Sequence, residues 1–491
     1  MKPRHLAIAL AILHLVLAWT YASITPYRRE GAVLLNRSVE KDIGAPDERQ
    51  HANYVAHLRE GKGFPVFNPK DPNLYESYQA HQPPLFYIVA AGSTTVSGVS
   101  DLTARDAGLR VRWINGAFGA LTVFVIFLLG HRATGSALAG VAAATFAALL
   151  PMHTALSGAL SNDPLLISLS CLGLLGLTQG IRNGWDTKTC ILTGVTIGAA
   201  LLTKTSALPL IIATAAAIVV RRPQPAQIAA LLGLPLLLAL PWWVRSTMLY
   251  GDPLALRAFS EAFVGSAQKQ TFVTQIIPQV SPGANPEWTY WTEWVGFWTM
   301  RSFFGVFGYM DIWLTESGVA AGGFDQNRLY FVLMLWAMIG WIAWAVGKRR
   351  TRTFAPDAPT GNETSAADEP ESGDAGFART DGIGWVYFVF SAVVFVLFLR
   401  FNNQYFQAQA RYLYPALGPI AVSLGAGYVW LLRRAQKWVL LSVALPLVLA
   451  QVLVFLRLPG TFQQRIEVGE KMRQSQAASE SSTPPEANPS P

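Results

Sequence analysis

Long apolar stretches separated by short basic segments constrain this 491-residue chain more than any other feature. A helix needs about 20 mostly apolar residues to cross the hydrocarbon core of a bilayer. Eleven stretches approach that requirement: Leu6–Tyr21, Trp113–Gly130, Ala137–Ala155, Leu165–Gly180, Cys190–Leu202, Ala207–Val220, Ile228–Trp243, Leu329–Val346, Trp385–Leu399, Leu413–Leu432 and Val439–Leu456. The sequence therefore predicts an all-α polytopic membrane protein, in which the first stretch is an uncleaved anchor.

Charge and cysteine content exclude several other classes of protein. Charged residues make up only 14% of the chain, whereas soluble domains contain about a quarter. The formal net charge of +8 arises from short clusters of Lys and Arg between apolar stretches, with no basic stripe for nucleic acid. Cys171 and Cys190 show neither CxxC spacing nor a nearby His, so no disulfide framework or zinc site is predicted.

The basic clusters also predict the orientation of the chain. They occur at Lys2 and Arg4, His131 and Arg132, Arg182 and Lys188, Arg221 and Arg222, Lys348–Arg352, and Arg433–Lys437. All of them face the cytoplasm if Pro83–Val99 does not cross the membrane. That stretch is short and interrupted by Gly, Ser and Thr, so we expect a helix at the outer interface. If it crosses instead, every later loop changes sides.

This orientation divides the chain into six segments. They are a first transmembrane helix (1–22), a long outer loop with interfacial helices (23–112), a transmembrane core (113–243), a second outer loop (244–328), C-terminal transmembrane helices (329–456) and a polar tail (457–491). Residues 353–381 are rich in Pro, Gly, Ser and acidic residues, which predicts a disordered cytoplasmic loop. The tail from about Gln474 is also low in apolar residues and is predicted to be disordered.

The first outer loop carries an acidic pair, Asp47 and Glu48, directly after Pro46. His51, Tyr54, Val55 and Leu58 follow at helical spacing, so the acids stand at the start of a helix. One interpretation is an N-terminal cap, worth about 0.5 to 2 kcal/mol. The other is a general base at the membrane surface. The residues alone leave both interpretations open.

Three further polar residues lie at predicted span boundaries, and a fourth, His81, lies at the lipid boundary. His81 precedes two prolines that open an apolar helix, where it could bind an anionic head group, and Asp163 follows Asn162 at the mouth of a span. Asp163 could be a helix cap or a second active-site acid. Lys204 lies between two apolar stretches and Arg411 directly precedes one, both on the predicted outer side. Cations at such boundaries are candidates for function.

The distribution of these groups argues against a transporter. The acids and cations gather at one face, whereas an ion-coupled transporter places acids and broken helices near the midplane. The sequence contains no P-loop, dinucleotide-binding fingerprint, HExxH or GxSxG motif.

An ordered set of short motifs resembles a known family. The Asp-Glu pair, the segment HQPPLFY, the turn SNDP, then LLTK and QARYLYP look like the GT-C superfamily of membrane glycosyltransferases. The nearest members are the protein O-mannosyltransferases and lipid A aminoarabinose transferases of glycosyltransferase family 39. The resemblance runs from about Leu6 to Leu456. It implies a helical bundle of about 11 to 13 transmembrane helices whose first outer loop is catalytic.

The resemblance also implies an activity and site residues. The expected enzyme moves a sugar from a polyprenyl phosphate to a hydroxyl group of a glycolipid, glycan or protein, with inversion. Asp47 matches the catalytic base, Glu48 its partner and Asp163 a second outer acid. Lys204 and Arg411 match positions that bind the donor phosphate. Many relatives have Lys where this chain has Gln82, and His81 is the candidate replacement for that phosphate contact.

No metal cluster is apparent in the sequence, so neither a metal nor a cofactor is expected. The predicted location is the inner membrane, with the site facing the periplasm or exterior and membrane lipids as surroundings. Two alternatives remain: a lipid or solute transporter, and a non-catalytic membrane subunit of an envelope-glycan pathway. The sequence does not identify the sugar, the acceptor or the length of the prenyl chain.

Overall fold

The computed structural model of the protein describes residues 2–33, 38–265, 268–314, 324–353 and 382–482. The predicted cytoplasmic loop at 353–381 lies almost wholly outside the described residues. Helices dominate the described parts, and the only strands there are two short antiparallel pairs, β1 (Gly31–Ala32) with β2 (Val39–Glu40) and β3 (Val306–Phe307) with β4 (Ile312–Trp313).

The helices alternate between long apolar segments and short connecting ones. In the N-terminal half they are α1 (Pro3–Ile24), α2 (Glu48–Arg59), α3 (Leu74–Ser77), α4 (Leu85–Val96), α5 (Gly108–Thr134), α6 (Ala137–Leu149), α7 (Pro151–Ser157), α8 (Asp163–Asn183), α9 (Thr187–Leu201), α10 (Pro209–Val220), α11 (Pro225–Ile228) and α12 (Leu234–Tyr250). The remaining helices are α13 (Leu256–Ala262), α14 (Lys269–Thr271), α15 (Ile277–Val280), α16 (Pro286–Thr289), α17 (Phe297–Phe304), α18 (Phe324–Thr353), α19 (Ile383–Asn402), α20 (Leu417–Leu431) and α21 (Val439–Ser482).

Short helical turns of other types join several of these helices. The 3-10 turns are Tyr78–His81, Arg105–Ala107, Thr205–Ala207, Ala410–Ala416 and Gln436–Trp438, and the π-helical turns are Ala229–Gly233, Phe272–Ile276 and Tyr290–Gly296.

The predicted class, a multi-pass helical membrane protein, is confirmed, but the number of full-length spans is smaller than 11 to 13. Among the described residues, seven helices are long and apolar enough to cross a membrane, or eight if one bent pair is a single span. The stretches predicted at Cys190–Leu202 and Ala207–Val220 form shorter apolar helices, and Leu413–Leu432 splits into a 3-10 turn and α20. A 15-residue helix such as α9 or α20 is only about 22 Å long.

The stretch Pro83–Val99 contains the single short helix α4. Its 12 residues extend about 18 Å, whereas the hydrocarbon core is about 30 Å thick. The length of α4 therefore agrees with the expectation that this stretch does not cross the membrane.

A sharp bend divides the predicted span Ala137–Ala155 into α6 and α7, which meet at 65°. Pro151 has no backbone N–H and cannot bond to the carbonyl of Ala147. His153 Nδ1 donates to that carbonyl at 2.8 Å, and His14 Nδ1 donates to the carbonyl of Ala148 at 2.9 Å. The two imidazole rings stack with their centroids 4.3 Å apart. These buried histidines thus satisfy carbonyl groups that the bend leaves free.

The polar tail is not disordered up to Ser482, contrary to the prediction from composition, because α21 continues through it. Its C-terminal part packs against the two segments that the sequence predicts to be outer loops. A Cβ atom on Gly469 would lie 2.7 Å from the Cα of Gly31, so the helix meets β1 in close contact. Arg465 pairs with Asp311 of the second outer loop at 3.4 Å. Tertiary contacts of this kind hold a segment helical when its composition alone does not.

Candidate active site

Asp47 lies immediately before α2, as the sequence predicts, but it does not cap that helix. Its side chain makes no capping hydrogen bond, and its backbone is left-handed, with φ 65° and ψ −7°. This conformation costs roughly 1 to 2 kcal/mol in most residues but is tolerated by Asp and Asn. The capping interpretation of Asp47 is therefore wrong, and its carboxylate is free to bind other groups.

Two side chains from distant parts of the sequence hold the Asp47 carboxylate. The Tyr78 hydroxyl donates to Oδ1, and Arg411 Nη2 donates to Oδ2 at 2.5 Å. Burial alone would raise the pKa of Asp47, but the charge of Arg411 and the Tyr78 hydrogen bond lower it to about 2. Asp47 is therefore ionised in the free protein at any physiological pH.

Asp163, the first residue of α8, lies beside the same arginine. Its Oδ2 is 4.0 Å from Arg411 Nη1, and its Oδ1 accepts a bond from Lys204 Nζ at 2.6 Å. The four residues Asp47, Arg411, Asp163 and Lys204 thus form one continuous row of alternating charges. The structure brings together four charged residues that the sequence analysis singled out in four separate segments.

One aromatic ring supports both cations of this row. The ring of Tyr412 lies 5.8 Å from Lys204 Nζ and 5.4 Å from the guanidinium carbon of Arg411. Such contacts stabilise a cation by about 0.5 to 1 kcal/mol, and more where water is excluded. Tyr412 therefore helps to keep the two positive charges close together.

Glu48 points to a different partner, the buried Arg112 of α5. Glu48 Oε2 accepts from Arg112 Nη2 at 2.5 Å, and Oε1 accepts from Arg112 Nε at 2.7 Å and from the backbone N–H of Leu160 at 2.8 Å. Arg112 also donates to the carbonyls of Ala22, Thr25 and Pro26. This network ties the start of α2 to the C-terminal end of α1, which assigns Glu48 a positioning contact rather than one with the charged row.

His81 lies close to the row, but its imidazole ring is neutral, which disfavours anion binding. Its Nδ1 is 2.7 Å from the carbonyl of Tyr78, so we infer that this nitrogen carries the proton. Burial lowers the pKa of His81 to about 4, which keeps the ring neutral. Its Nε2 then accepts from the Gln82 amide at 3.2 Å. In this arrangement His81 presents no N–H donor to a phosphate, and its phosphate-binding role stays a prediction.

Gln82 instead connects the 3-10 turn to the start of α8. Asn162 Nδ2 is 3.4 Å from Gln82 Oε1 and 3.4 Å from the carbonyl of Thr203. The backbone N–H of Leu85 donates to the carbonyl of Leu202 at 2.9 Å. These bonds fix the Lys204 turn against the HQPP segment.

Some buried polar atoms of this region have no partner within the described residues. They are Arg411 Nε, Asn162 Oδ1 and Gln79 Oε1. Buried polar atoms are nearly always paired in folded proteins. These three atoms are therefore hydrogen-bonding groups in or near the row that no described protein atom satisfies.

The sequence analysis did not single out Tyr78, Arg112 or Tyr412. Tyr78 lies three residues before the segment HQPPLFY, and Tyr412 follows Arg411 directly, so proximity in sequence was the available signal. Arg112 appeared only as the end of a loop, and nothing in its local sequence indicates a partner 64 residues earlier. Among the described residues, no group of three or more His, Cys, Asp or Glu side chains is placed to bind a metal. Metal independence stays a prediction.

A family of known proteins matches part of the chain. Residues 68–250 match the family described as dolichyl-phosphate-mannose-protein mannosyltransferase. This segment contains His81, Asp163 and Lys204, while Asp47 and Arg411 lie outside it. No curated protein sequence matches the chain.

Several solved structures align with the chain. The Archaeoglobus fulgidus oligosaccharyltransferase tethered with an acceptor peptide aligns with a TM-score of 0.50 and 12% identity, covering 92% of this chain and 55% of that one. ArnT from Cupriavidus metallidurans bound to undecaprenyl phosphate has a TM-score of 0.36 and 15% identity, covering 87% and 78%. The S. cerevisiae protein O-mannosyltransferase complex bound to its sugar donor has a TM-score of 0.37 and 15% identity, covering 51% and 34%.

The chain shares the fold of the Archaeoglobus fulgidus oligosaccharyltransferase. Residues 68–250 are similar to the dolichyl-phosphate-mannose-protein mannosyltransferases, so the predicted resemblance to that family is confirmed. The chain spans just over half the length of the archaeal oligosaccharyltransferase.

Proposed function

We propose that this protein is an inverting membrane glycosyltransferase that moves a sugar from a polyprenyl-phosphate donor to an acceptor hydroxyl on the outer face. One observation carries the proposal: two acids and two cations from four segments meet in a single row beside unpaired buried polar atoms. The similarity of residues 68–250 to a dolichyl-phosphate-dependent family supports the choice of a lipid-linked donor.

Asp47 acts as the general base in this proposal. The acceptor hydroxyl gives its proton to the Asp47 carboxylate while its oxygen attacks the anomeric carbon of the sugar. The bond between that carbon and the phosphate oxygen breaks, and its electron pair leaves with the polyprenyl phosphate. A single displacement inverts the anomeric centre. A positioned base typically contributes about 10²- to 10⁴-fold to the rate of such a step.

Lys204 and Arg411 stabilise the leaving phosphate. Negative charge grows on that group as the glycosidic bond breaks, and preorganised cations lower the energy of this charge. Asp163 lies within reach of both cations. Its role in the proposal is to hold them in place before the donor arrives.

The outward orientation rests on the positive-inside rule. The basic loops at His131–Arg132, Arg182–Lys188 and Arg221–Arg222 lie at the opposite ends of α5, α8 and α10 from the charged row. If those loops face the cytoplasm, the row faces the exterior, where sugar donors arrive on lipids. The inner membrane is the corresponding location.

A transfer assay with purified protein tests the proposal. Short-chain prenyl-phosphate sugars with different head groups are incubated with glycolipid, glycan and peptide acceptors, and release of prenyl phosphate is measured. Analysis of envelope glycans in a deletion strain identifies the natural acceptor class. Absence of transfer from every lipid-linked donor, together with lipid or solute flux in proteoliposomes, would contradict the proposal and favour a transporter. Normal glycans in the strain that produces an Asp47→Asn variant would favour a non-catalytic subunit.

A further inference from the structure

Both oxygens of the Asp47 carboxylate are occupied in the free protein. Tyr78 donates to Oδ1 and Arg411 donates to Oδ2. The Asp47 side chain keeps 19% of its surface exposed, whereas that of Arg411 keeps only 8%. A base held by a buried guanidinium is a poor proton acceptor, because protonation would leave the arginine charge uncompensated.

Arg411 is not committed to Asp47 alone. Its Nη1 lies 4.0 Å from Asp163, and its buried Nε has no hydrogen-bond partner in the described structure. Arginine binds phosphates through two parallel N–H groups. Arg411 therefore has an unused N–H group next to the one that holds Asp47, and a phosphate that took both groups would displace Asp47.

We propose that the phosphate of the donor withdraws Arg411 from Asp47 Oδ2, so that the general base becomes active only in the donor-loaded enzyme. This inference rests on the proposed function and adds an order to it. The row contains two acids and two cations, so an arriving phosphate brings an uncompensated negative charge. The cations must then be shared among three anions. Asp47 is the less buried of the two carboxylates, with 19% of its side chain exposed against 6% for Asp163, so it loses its partner most easily.

The surroundings of Asp47 make Arg411 decisive. The titratable groups that act on Asp47 or feel its charge are Arg411, Tyr78, His51, Tyr87, Tyr309 and Tyr412. Burial lowers the pKa of His51 to about 3, so it is neutral near pH 7, and the tyrosines are neutral as well. Arg411 is the one cation of this set. Once its charge is shared with a phosphate, burial dominates and the pKa of Asp47 rises.

The consequence is an ordered reaction. An acceptor that reaches the empty site meets a carboxylate with little affinity for its proton. The same acceptor beside a bound donor meets a stronger base. Tyr78 keeps Oδ1 in place throughout, which leaves Oδ2 as the oxygen that receives the proton.

Proton uptake on binding measures this change directly. The probe is a short-chain prenyl methyl phosphodiester, which carries one negative charge like the donor but cannot react. Calorimetry in two buffers with different ionisation enthalpies gives the number of protons taken up. We expect uptake that grows toward one proton per probe as the pH falls to about 4, near the ordinary pKa of Asp. By linkage, the probe should also bind more tightly as the pH falls over this range.

Asp47→Asn should bind the probe without this uptake. The exposed Asp106 of the same loop provides the matched control, because Asp106→Asn should behave like the wild type. Binding without uptake in the wild type, or equal uptake in Asp47→Asn, would overturn the inference. If the protein transfers sugar but takes up no proton when the probe binds, the proposed function stands. Only the inference that donor binding activates the base is then contradicted. A probe that does not bind, together with absent transfer, would overturn both.

Kinetics provide a second measurement. The acid limb of kcat/KM for the donor reports the free enzyme, and that of kcat reports the loaded one. In the wild type, the acid limb of the kcat profile should lie at least about one pH unit above the acid limb of the kcat/KM profile. In Arg411→Gln the two limbs should coincide, whatever the loss of donor affinity. Coinciding limbs in the wild type would contradict the inference.

Discussion

Glu48 and Arg112 form a buried ion pair, with Oε2 and Nη2 2.5 Å apart, one residue beyond the carboxylate that we propose as the base. Only 1% of the Arg112 side chain is exposed. Removing one partner of such a pair is strongly destabilising, by about 3 to 5 kcal/mol. Adjacent acids in the sequence therefore have different tasks.

The first prediction compares these two acids. Glu48→Gln should lower the melting temperature clearly, because it leaves the Arg112 charge buried without its carboxylate. Any folded Glu48→Gln protein should keep more transfer activity than Asp47→Asn. A melting curve and a transfer assay on the same preparations measure both effects. A stable Glu48→Gln protein that is as inactive as Asp47→Asn would assign Glu48 to catalysis instead.

The second prediction concerns the base itself. Asn tolerates the left-handed backbone at position 47 and can still accept the Tyr78 hydrogen bond. Asn cannot accept a proton, so Asp47→Asn should reduce transfer by roughly two orders of magnitude or more. Its melting temperature should change less than that of Glu48→Gln. Asp106→Asn is the control and should remain active. Retained activity in Asp47→Asn would refute the assignment of Asp47.

The third prediction concerns donor binding. Lys204→Ala and Arg411→Ala should each raise the KM for the lipid donor about tenfold or more, because each removes a charge-assisted contact to phosphate. Lys70, an exposed cation of the first outer loop, is the matched control. Lys70→Ala should leave the donor KM unchanged. Normal turnover at limiting donor in both site variants would remove the phosphate-binding role.

The fourth prediction concerns Tyr78 and pH. Its hydrogen bond lowers the pKa of Asp47, so Tyr78→Phe should raise that pKa. A group with a lowered pKa stays ionised until the pH falls through that value, so a higher pKa moves the acid limb of kcat/KM to higher pH. A hydrogen bond to a charged group is worth about 1.5 to 3 kcal/mol, which corresponds to a shift of about one to two units. An unchanged limb would show that Tyr78 does not act on the base.

The fifth prediction concerns sidedness. Single cysteines at the exposed positions Lys70 and Arg222, in a background without Cys171 and Cys190, test the two faces. Lys70→Cys should react with an impermeant maleimide on intact cells, and Arg222→Cys only after permeabilisation. The reverse pattern would place the charged row on the cytoplasmic side and contradict the outward orientation.

The sequence predicted which charged residues meet, but not how they are held. Asp163, Lys204 and Arg411 were recognisable because a charge at a span boundary is costly without a purpose, and Asp47 because it belongs to an acidic pair at the start of a helix. The backbone conformation of Asp47 was not recognisable, because the sequence Pro-Asp-Glu at a helix start is equally typical of an N-terminal cap. The Glu48–Arg112 pair depends on how α2 sits against α5, and periodicity carries no information about that distance.

Helix lengths show the same limit. Hydropathy located α9 and α20 but could not show that they are short. The bend at Pro151 was visible only as a proline in an apolar stretch. Composition failed at the C-terminus, where α21 continues to Ser482 beyond the close contact of Gly469 with Gly31.

The C-terminal helix has a practical consequence. Its 44 residues extend about 66 Å, roughly twice the thickness of a hydrocarbon core. The end beyond the membrane is tied to the first outer loop by the ion pairs Arg29–Glu470 and Arg473–Glu30. A rigid helical fusion that continues α21 from Ser482 would therefore inherit a fixed orientation. It would give this 53.5 kDa protein a fiducial for electron cryomicroscopy on the same side as Asp47.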